Sequence, residues 1–237
     1  MKNFVSIIIP TYNEEKNIEN ALKSIRNQDY KHFEIIVSDS KSKDKTRQIA
    51  KKYGARLVID DRKGIGAGRN FGAKYARGNI LLFLDADTTI PSNTVSEFAK
   101  CITKANVVGV VCPVIPFKMT TKNMAVYLAY NQFVKNSVKT RKPYIAAMCI
   151  AYKKKYFLKI NGFNENLAAF EDIDLSSRIA KFGKIIYTEN TFATTSPRRI
   201  EKWGHFSLIR KYFKFYIKYR IGKKIKPHEY KPVRTRS

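Results

Sequence analysis

Short apolar runs alternate with segments of helical spacing over the first hundred residues, and this alternation constrains the fold more than any other feature. Runs rich in Val, Ile and Leu are predicted to be buried strands at residues 5–9, 34–38, 57–59 and 80–84. Between them, apolar residues recur at helical intervals around residues 18–25, 46–50 and 67–76. Strands that alternate with helices predict a parallel sheet with helices on both faces.

The rest of the chain continues the α/β pattern less regularly. Helices are predicted at residues 92–104, 119–139 and 171–182, and strands at residues 107–111, 145–152 and 184–187. Neither an internal repeat nor a low-complexity linker interrupts the sequence. We therefore predict one α/β catalytic domain over residues 1–200 with a mostly parallel central sheet, followed by a basic extension over residues 201–237.

Polar residues follow three of the predicted strands directly. The first strand runs into PTYNE at residues 10–14, the second into DSKS at residues 39–42, and the strand at residues 80–84 into Asp85-Ala86-Asp87. The carboxyl ends of parallel strands meet at one edge of an open sheet, where ligands bind. Asp and Ser can also simply cap helices at such positions, but three clusters at the same edge favour a binding site.

The pair Asp85 and Asp87 is the sharpest of these features, because it directly follows the apolar run NILLFL. Two carboxylates two residues apart at the rim of a sheet can share a hard divalent cation that bridges phosphate oxygens. The pair therefore predicts a site for Mn²⁺ or Mg²⁺.

The segment GIGAGR at residues 64–69 does not fit a dinucleotide-binding motif. The pattern GxGxxG would need Gly where Arg69 or Phe71 stands, and the segment follows a polar loop instead of the first strand. We interpret it as a flexible loop that leads into a helix, from which Arg69 reaches a diphosphate.

Four ordered motifs resemble glycosyltransferase family 2: VSIIIPTYNEE, EIIVSDSKSKDKT, GAGRNFGAKYARGNILLFLDAD and FEDIDLSSRIAKFG. The resemblance covers residues 4–199. It implies the GT-A fold and an inverting, metal-dependent enzyme that moves a sugar from a nucleotide-diphosphate donor to an acceptor. A glycan or a polyprenyl-linked sugar is the expected acceptor.

The resemblance also implies a role for each matching residue. The nucleotide sugar is expected to contact Pro10, Thr11, Tyr12, Glu14, Asp39, Arg69, Asp85 and Asp87. Within this set, Arg69 matches the arginine that contacts the diphosphate, and Asp85 and Asp87 match the metal-binding pair. Asp172 matches the catalytic base. An acidic pair such as Glu171-Asp172 is also stabilised by the dipole at a helix start without any catalytic role.

The C-terminal extension is strongly basic. The whole chain has 46 Lys and Arg against 19 Asp and Glu, a net charge of +27. Residues 198–237 contain 14 Lys or Arg and two Glu, a net charge of +12.

On a helical wheel of residues 205–221, a basic stripe lies opposite a wide apolar and aromatic face. The stripe consists of Arg210, Lys211, Lys214 and Lys218, and the apolar face of Phe206, Leu208, Ile209, Tyr212, Phe213, Phe215, Tyr216, Ile217 and Tyr219.

This wheel predicts a helix that lies on an anionic membrane surface, with Lys223, Lys224 and Lys226 strengthening the attraction. The alternative is a helix packed on the catalytic domain with its basic face in solvent.

Three widely spaced cysteines favour a reducing compartment, and no apolar run approaches the ~20 residues of a membrane span. The expected location is therefore the cytoplasmic face of a membrane.

Two other classes of protein remain as alternatives. A nucleotidyltransferase could use a similar sheet and metal pair, but would carry a Gly-rich basic segment where this chain has PTYNEE. A nucleic-acid-binding protein would explain the charge, but the chain has no recognised binding motif, and Asp39, Asp85 and Asp87 would repel phosphate without a metal. We expect no nucleic-acid partner.

Overall fold

The computed structural model describes residues 3–62, 64–140 and 142–223, together with Ile225, Glu229 and Val233. The strands are β1 (Val5–Thr11), β2 (Phe33–Asp39), β3 (Arg56–Ile59), β4 (Ile80–Leu84), β5 (Thr88–Thr89), β6 (Val107–Val111), β7 (Val114–Pro116), β8 (Cys149–Lys153), β9 (Lys184–Tyr187) and β10 (Ala193–Thr195). The helices are α1 (Ile18–Arg26), α2 (Thr46–Lys52), α3 (Ile65–Lys74), α4 (Thr94–Ile102), α5 (Thr121–Ser137), α6 (Lys154–Lys159), α7 (Glu171–Ile179), α8 (Arg198–Trp203) and α9 (His205–Arg220).

Seven strands form the central sheet in the order β3-β2-β1-β4-β8-β6-β9. The pairs β3/β2, β2/β1, β1/β4 and β6/β9 are parallel, and only β8 runs antiparallel to its two neighbours. The predicted mostly parallel sheet with flanking helices is therefore confirmed.

Two hydrophobic layers cover the sheet, one on each face. Successive side chains of β1 point to opposite faces, so Ile7 and Ile9 join one layer and Ile8 joins the other. All three are fully buried. Because both faces are covered, the strands are continuously apolar instead of alternating, which is why short apolar runs marked them in the sequence.

Helix α3 lies very close to β1 and β2. A Cβ atom at Gly72 would come within 2.6 Å of Ile8 Cγ2 and 3.3 Å of Ser38 Cβ. The absence of a side chain at Gly72 therefore lets α3 approach the sheet, and the approach brings Arg69, one turn earlier, beneath the sheet edge.

The structure corrects several predicted boundaries. The strand predicted at residues 145–152 begins only at Cys149, because the Ala147 backbone amide and carbonyl bond to side chains of Asp172 and Arg69 instead of to a strand. The helix predicted at residues 171–182 ends at Ile179, and a 3₁₀ turn follows. A second sheet, of order β5-β10-β7, was not predicted, because strands of two or three residues are too short to show a periodic pattern.

The C-terminal segment forms α8 and α9. One side of α9 packs against the residues at the start of α7, and another side is exposed. Lys224 and Lys226, which the sequence assigned to membrane attraction, lie outside the described residues. Within the part of the chain that the structure describes, no helix has both the length and the apolar character of a membrane span.

Candidate active site

The polar clusters predicted at three strand ends do meet at one edge of the sheet. Thr11 at the end of β1 is in register with Asp39 at the end of β2, and the Ser40 amide donates to the Thr11 carbonyl at 2.9 Å. After β4, the Asp85 amide donates to the Met148 carbonyl at 3.1 Å. This edge therefore brings the loops after β1, β2 and β4 together with the loop that precedes β8.

Asp39 connects the loops that follow β1 and β2. Its carboxylate accepts hydrogen bonds from Thr11 Oγ1 at 2.9 Å, from the Ser42 amide at 2.9 Å and from the Ser42 hydroxyl. Its side chain is 0% exposed. The structure thus gives Asp39 an internal role, and its direct contact with a nucleotide stays a prediction. Pro10 and Tyr12 are half-buried at the same edge, and Thr11 is buried.

Arg69 lies beneath the edge, with a side chain that is only 2% exposed. Its guanidinium donates to Asp85 at 2.8 Å, to Glu171 at 3.0 Å and to the Ala147 carbonyl at 3.1 Å. It also lies over the Phe163 ring, 5.3 Å from the centroid. These contacts join the Asp85 loop, the start of α7 and the loop before β8. The diphosphate contact stays a prediction, since Arg69 is committed to internal partners.

Arg198, the first residue of α8, reaches the site from the other side. Its Nε lies 2.9 Å from Asp87 Oδ2, and its Nη1 lies 3.0 Å from Glu14 Oε1. In the sequence, Arg198 stands out only as one of the 14 Lys or Arg residues at positions 198–237, and no role in the site was predicted for it. No local signal pointed to this position, because it depends on the pairing of β10 with β5, the strand that begins directly after Asp87.

The acidic groups at this edge are crowded. Burial raises the pKa of Asp87 to about 6; Asp85 and Glu14 also raise it, and Arg198 opposes the shift. The charged form of a buried carboxylate beside other carboxylates is stabilised by a nearby cation. Arg198 supplies that positive charge in this structure.

Asp85 and Asp87 are suited to bind a divalent cation that is also bound by phosphate oxygens of a substrate. The described residues contain no cluster of three or more His, Cys, Asp or Glu suited to enclose a metal ion. Mg²⁺ and Mn²⁺ accept oxygen ligands, and Mg²⁺ is usually held by one or two carboxylates plus phosphate oxygens and water. A pair of carboxylates at an edge that also holds Glu14 and Arg198 is compatible with this mode of binding.

Asp172 is held in a fixed orientation near the start of α7. Its Oδ2 accepts a hydrogen bond from the Ala147 amide at 3.0 Å, and its Oδ1 accepts one from the Ile173 amide at 2.8 Å. Burial raises the pKa of Asp172, while Arg69 and these two amides oppose the shift. The carboxylate is therefore a stronger base than a solvated Asp, and a general base needs both this basicity and a fixed position.

Glu171, the other acidic residue of the pair, has a different environment. It is buried and accepts its hydrogen bond from Arg69. Burial and the neighbouring Asp172 raise its pKa to about 7, and Arg69 opposes the shift. Phe170, just before it, adopts a left-handed backbone conformation with φ of 65°. This turn lets Glu171 point inward and leaves the half-buried Asp172 as the member of the pair that can meet a substrate.

Residues 6–160 match the protein family described as Glycosyl transferase family 2. A glycosyltransferase of Haloferax volcanii, AglE, is 39% identical over 92 residues, which are 35% of this chain and 30% of that protein. The GalNAc(5)-diNAcBac-PP-undecaprenol beta-1,3-glucosyltransferase of Campylobacter jejuni is 36% identical over 113 residues, 43% of this chain and 34% of that protein. The chain thus matches about a third of the length of these curated relatives.

Solved structures share the fold. The mannosyltransferase PcManGT from Pyrobaculum calidifontis, solved with GDP-Man and Mn²⁺, superposes with a TM-score of 0.74 at 22% identity over 98% of this chain and 68% of that one. TarS of Staphylococcus aureus, residues 1–349 with UDP-GlcNAc, gives a TM-score of 0.64 at 24% identity over 81% of this chain and 58% of that one. At these identities the likeness establishes the GT-A architecture alone.

Proposed function

The chain belongs to glycosyl transferase family 2, and from this premise we propose that it transfers a sugar from a nucleotide-diphosphate donor to an acceptor hydroxyl with inversion. One observation carries the proposal. Arg69 bonds directly to both Asp85, in the cation-binding pair, and Glu171, the neighbour of Asp172. Arg69 therefore connects the Asp85 loop, which would bind the cation and the donor diphosphate, to the start of α7, which carries the proposed base.

The donor is proposed to lie along the edge formed by the loops after β1, β2 and β4. Pro10, Thr11, Tyr12, Glu14 and Asp39 are the proposed nucleotide-side residues, with Asp39 acting through the loop that it connects. A divalent cation, Mn²⁺ or Mg²⁺, would be held by Asp87 and Asp85 and would neutralise charge on the leaving diphosphate. Two structural neighbours are described with Mn²⁺, which supports this assignment.

Asp172 is proposed as the general base. The acceptor oxygen forms a bond to the anomeric carbon while the bond from that carbon to the diphosphate oxygen breaks. The hydroxyl proton passes to the Asp172 carboxylate, and the nucleoside diphosphate leaves with the bonding electron pair. A single in-line displacement of this kind inverts the anomeric centre. We assign Arg69 as a positioning residue that holds Asp85 and the start of α7 in place.

The acceptor is proposed to be a glycan or a polyprenyl-linked sugar. The name of the Campylobacter relative, which acts on an undecaprenyl-diphosphate-linked glycan, supports a lipid-linked acceptor. The proposed location is the cytoplasmic face of a membrane. Cys101, Cys112 and Cys149 are all buried and unpaired, which supports a reducing compartment.

An assay of donor cleavage tests the proposal against its alternatives. The full chain, freed of metal with EDTA, is incubated with UDP- and GDP-sugars, with or without Mn²⁺ or Mg²⁺, and release of the nucleoside diphosphate is measured. We expect release from at least one donor, only with metal. Pyrophosphate release from a nucleoside triphosphate and a sugar phosphate would instead favour a nucleotidyltransferase. Salt-sensitive DNA binding without any donor cleavage would favour a nucleic-acid-binding protein.

A further inference from the structure

We propose that α9 is a two-sided helix whose outer side binds an anionic lipid membrane while its inner side supports the start of α7. This inference rests on the proposed function, because a membrane contact would bring the enzyme to a lipid-linked acceptor. It adds the surface of the protein that makes this contact. The two sides are distinct in the structure, and each has its own set of residues.

The inner side of α9 is packed on the catalytic domain. Phe215 is buried, and Tyr212, Tyr216 and Tyr219 pack against the same cluster. The rings of Tyr212, Phe215 and Tyr219 lie 6.0–6.5 Å from the Phe170 ring. The wide apolar face predicted from the sequence is therefore divided, and its tyrosine-rich half is unavailable to a membrane.

The outer side of α9 is an exposed apolar stripe, formed by Phe206, Ile209, Phe213 and Ile217. Their spacing of three or four residues places them on one face of the helix. Phe206 is 78% exposed and Phe213 is 64% exposed. Exposed apolar residues that gather on one side of a surface helix mark an interaction site more often than isolated ones do.

The stripe adjoins a groove at the start of α9. The groove has a volume of about 660 Å³ and is lined by residues 122, 125, 126 and 203–207. The contact between His205 Nε2 and Asn123 Oδ1, 2.8 Å long, joins the start of α9 to α5 there. Met119, two residues before α5, is exposed as well. The apolar surface thus extends from α9 toward the start of α5.

The charges beside the stripe indicate a membrane as the occupant. Arg210 and Lys214 are exposed on α9, and Lys122, Lys202 and Lys223 are exposed near its ends. The sequence of α9 contains no acidic residue. Apolar side chains flanked by cations match the boundary between acyl chains and anionic headgroups. A nucleic acid would bind the cations but would leave the stripe of Phe206, Ile209, Phe213 and Ile217 exposed to water. A membrane would contact both the cations and the stripe, so it is the better match for this surface.

The inner contacts connect this surface to the site. Phe170, which α9 packs against, directly precedes Glu171 and Asp172. The helix that would lie on the membrane therefore supports the turn that orients the proposed base. A lipid-linked acceptor held at the membrane would meet a catalytic residue whose position depends on the same helix.

Vesicle flotation of the full chain tests the proposal. The vesicles contain phosphatidylcholine alone or mixed with phosphatidylglycerol. The test variant is Phe206→Ser with Phe213→Ser, and the matched control is Leu158→Ser with Phe192→Ser, which replaces two exposed apolar residues elsewhere. We expect the wild type and the control to float with acidic vesicles and the test variant to bind at least about tenfold more weakly. Binding should weaken with salt, because the Debye length falls from about 10 Å at 0.1 M to about 3 Å at 1 M.

Metal-dependent donor cleavage without vesicles is the second readout and should be equal in all three proteins. Equal flotation of the test variant and the wild type, or a wild type without preference for acidic vesicles, would overturn the membrane proposal. Binding of DNA that depends on Arg210 and Lys214 but not on Phe206 and Phe213 would overturn it in favour of a nucleic-acid surface. Loss of donor cleavage in every protein would contradict the proposed function alone, because flotation does not depend on catalysis.

Discussion

Two arginines hold the acidic groups of the candidate site together. Arg69 bridges Asp85 and Glu171, and Arg198 bridges Asp87 and Glu14. A buried carboxylate without a partner is unstable because it loses its hydration. Each arginine therefore offsets the repulsion between two neighbouring carboxylates. The carboxylates can then remain close together at this edge, where they could also bind a cation.

Replacing Asp87 by Ala should remove the proposed main metal ligand. Titration of the EDTA-treated Asp87→Ala protein with Mn²⁺ should show no binding in the presence of donor, while the fold is kept, since Arg198 retains Glu14. Asp61→Ala is the matched control, because Asp61 is exposed and its ion-pair partner, Lys41, lies 3.7 Å away. Undiminished metal-dependent transfer by Asp87→Ala would show that the ligand assignment is wrong.

Replacing Asp172 by Asn should remove the proposed base while keeping the shape of the side chain. We expect the transfer rate to fall by at least about 100-fold because Asn cannot accept the acceptor's proton. Donor affinity, measured by calorimetry, should persist. Asp174→Asn, two residues along the same helix and paired with Arg178, serves as the control. Full activity in Asp172→Asn would indicate a different base or an acceptor that is already anionic.

The raised pKa of Glu171, about 7 against an ordinary value of 4.5, predicts a pH-dependent stability. Between these two values the native protein holds more protons at this residue than the unfolded chain does. The free energy of unfolding therefore falls as the pH rises from 4.5 to 7, by on the order of 3 kcal/mol.

Glu171→Gln should remove this dependence and still accept the bond from Arg69. In urea unfolding of metal-free protein, the variant should gain stability relative to the wild type between pH 4.5 and pH 8. The same difference at both pH values would contradict the assignment to Glu171.

The tight packing of helix α3 on the sheet decides where Arg69 lies. Two of the three glycines of α3 differ clearly in their surroundings. A Cβ at Gly72 would come within 2.6 Å of Ile8, whereas a Cβ at Gly68 would lie 3.5 Å from Pro10, an ordinary contact distance.

Gly72→Ala should lower the free energy of unfolding by about 1–3 kcal/mol because of overpacking. Gly68→Ala is the matched control and should be neutral or gain up to about 1 kcal/mol, since Ala has the higher helix propensity. Urea titration measures both variants. A Gly72→Ala protein as stable as the wild type would show that α3 can shift away from β1 at no cost.

The small sheet β5-β10-β7 connects the edge that carries Asp87 to the C-terminal segment. The Thr88 hydroxyl bonds to that of Thr195 at 3.0 Å, and the Ser196 amide donates to the Asp87 carbonyl at 3.2 Å. These contacts place Pro197 and Arg198 directly beside Asp87. The C-terminal segment therefore starts beside Asp87 and continues through α8 to α9.

At the scale of the whole molecule, donor and metal should stabilise the chain together. A ligand present at about 100 times its Kd adds about 2.7 kcal/mol. For a domain of this size, that corresponds to a rise in Tm of roughly 5–10 °C. The rise should appear with Mn²⁺ and the matching nucleotide sugar and should vanish with EDTA or in Asp87→Ala. An equal rise without metal would contradict shared binding of cation and donor.

The predictable part of this protein consists of local patterns. Apolar runs mark β1, β2 and β4, because strands buried on both faces must be apolar throughout. The residues after these strands face one edge in any parallel sheet, so Asp85 and Asp87 could be placed at that edge in advance. The motif resemblance added the predicted role of Asp172 as the base.

The pairing of charged groups and the choice of exposed surfaces depend on how the whole chain folds. Arg198 and Glu14 are 184 residues apart in sequence, and no local pattern pairs them. A helical wheel likewise shows that α9 is amphipathic but not that Phe170 would cover its tyrosines. The physical reason is the same in both cases: periodicity reports the environment along one element, whereas burial and ion pairing depend on which distant elements the fold brings into contact.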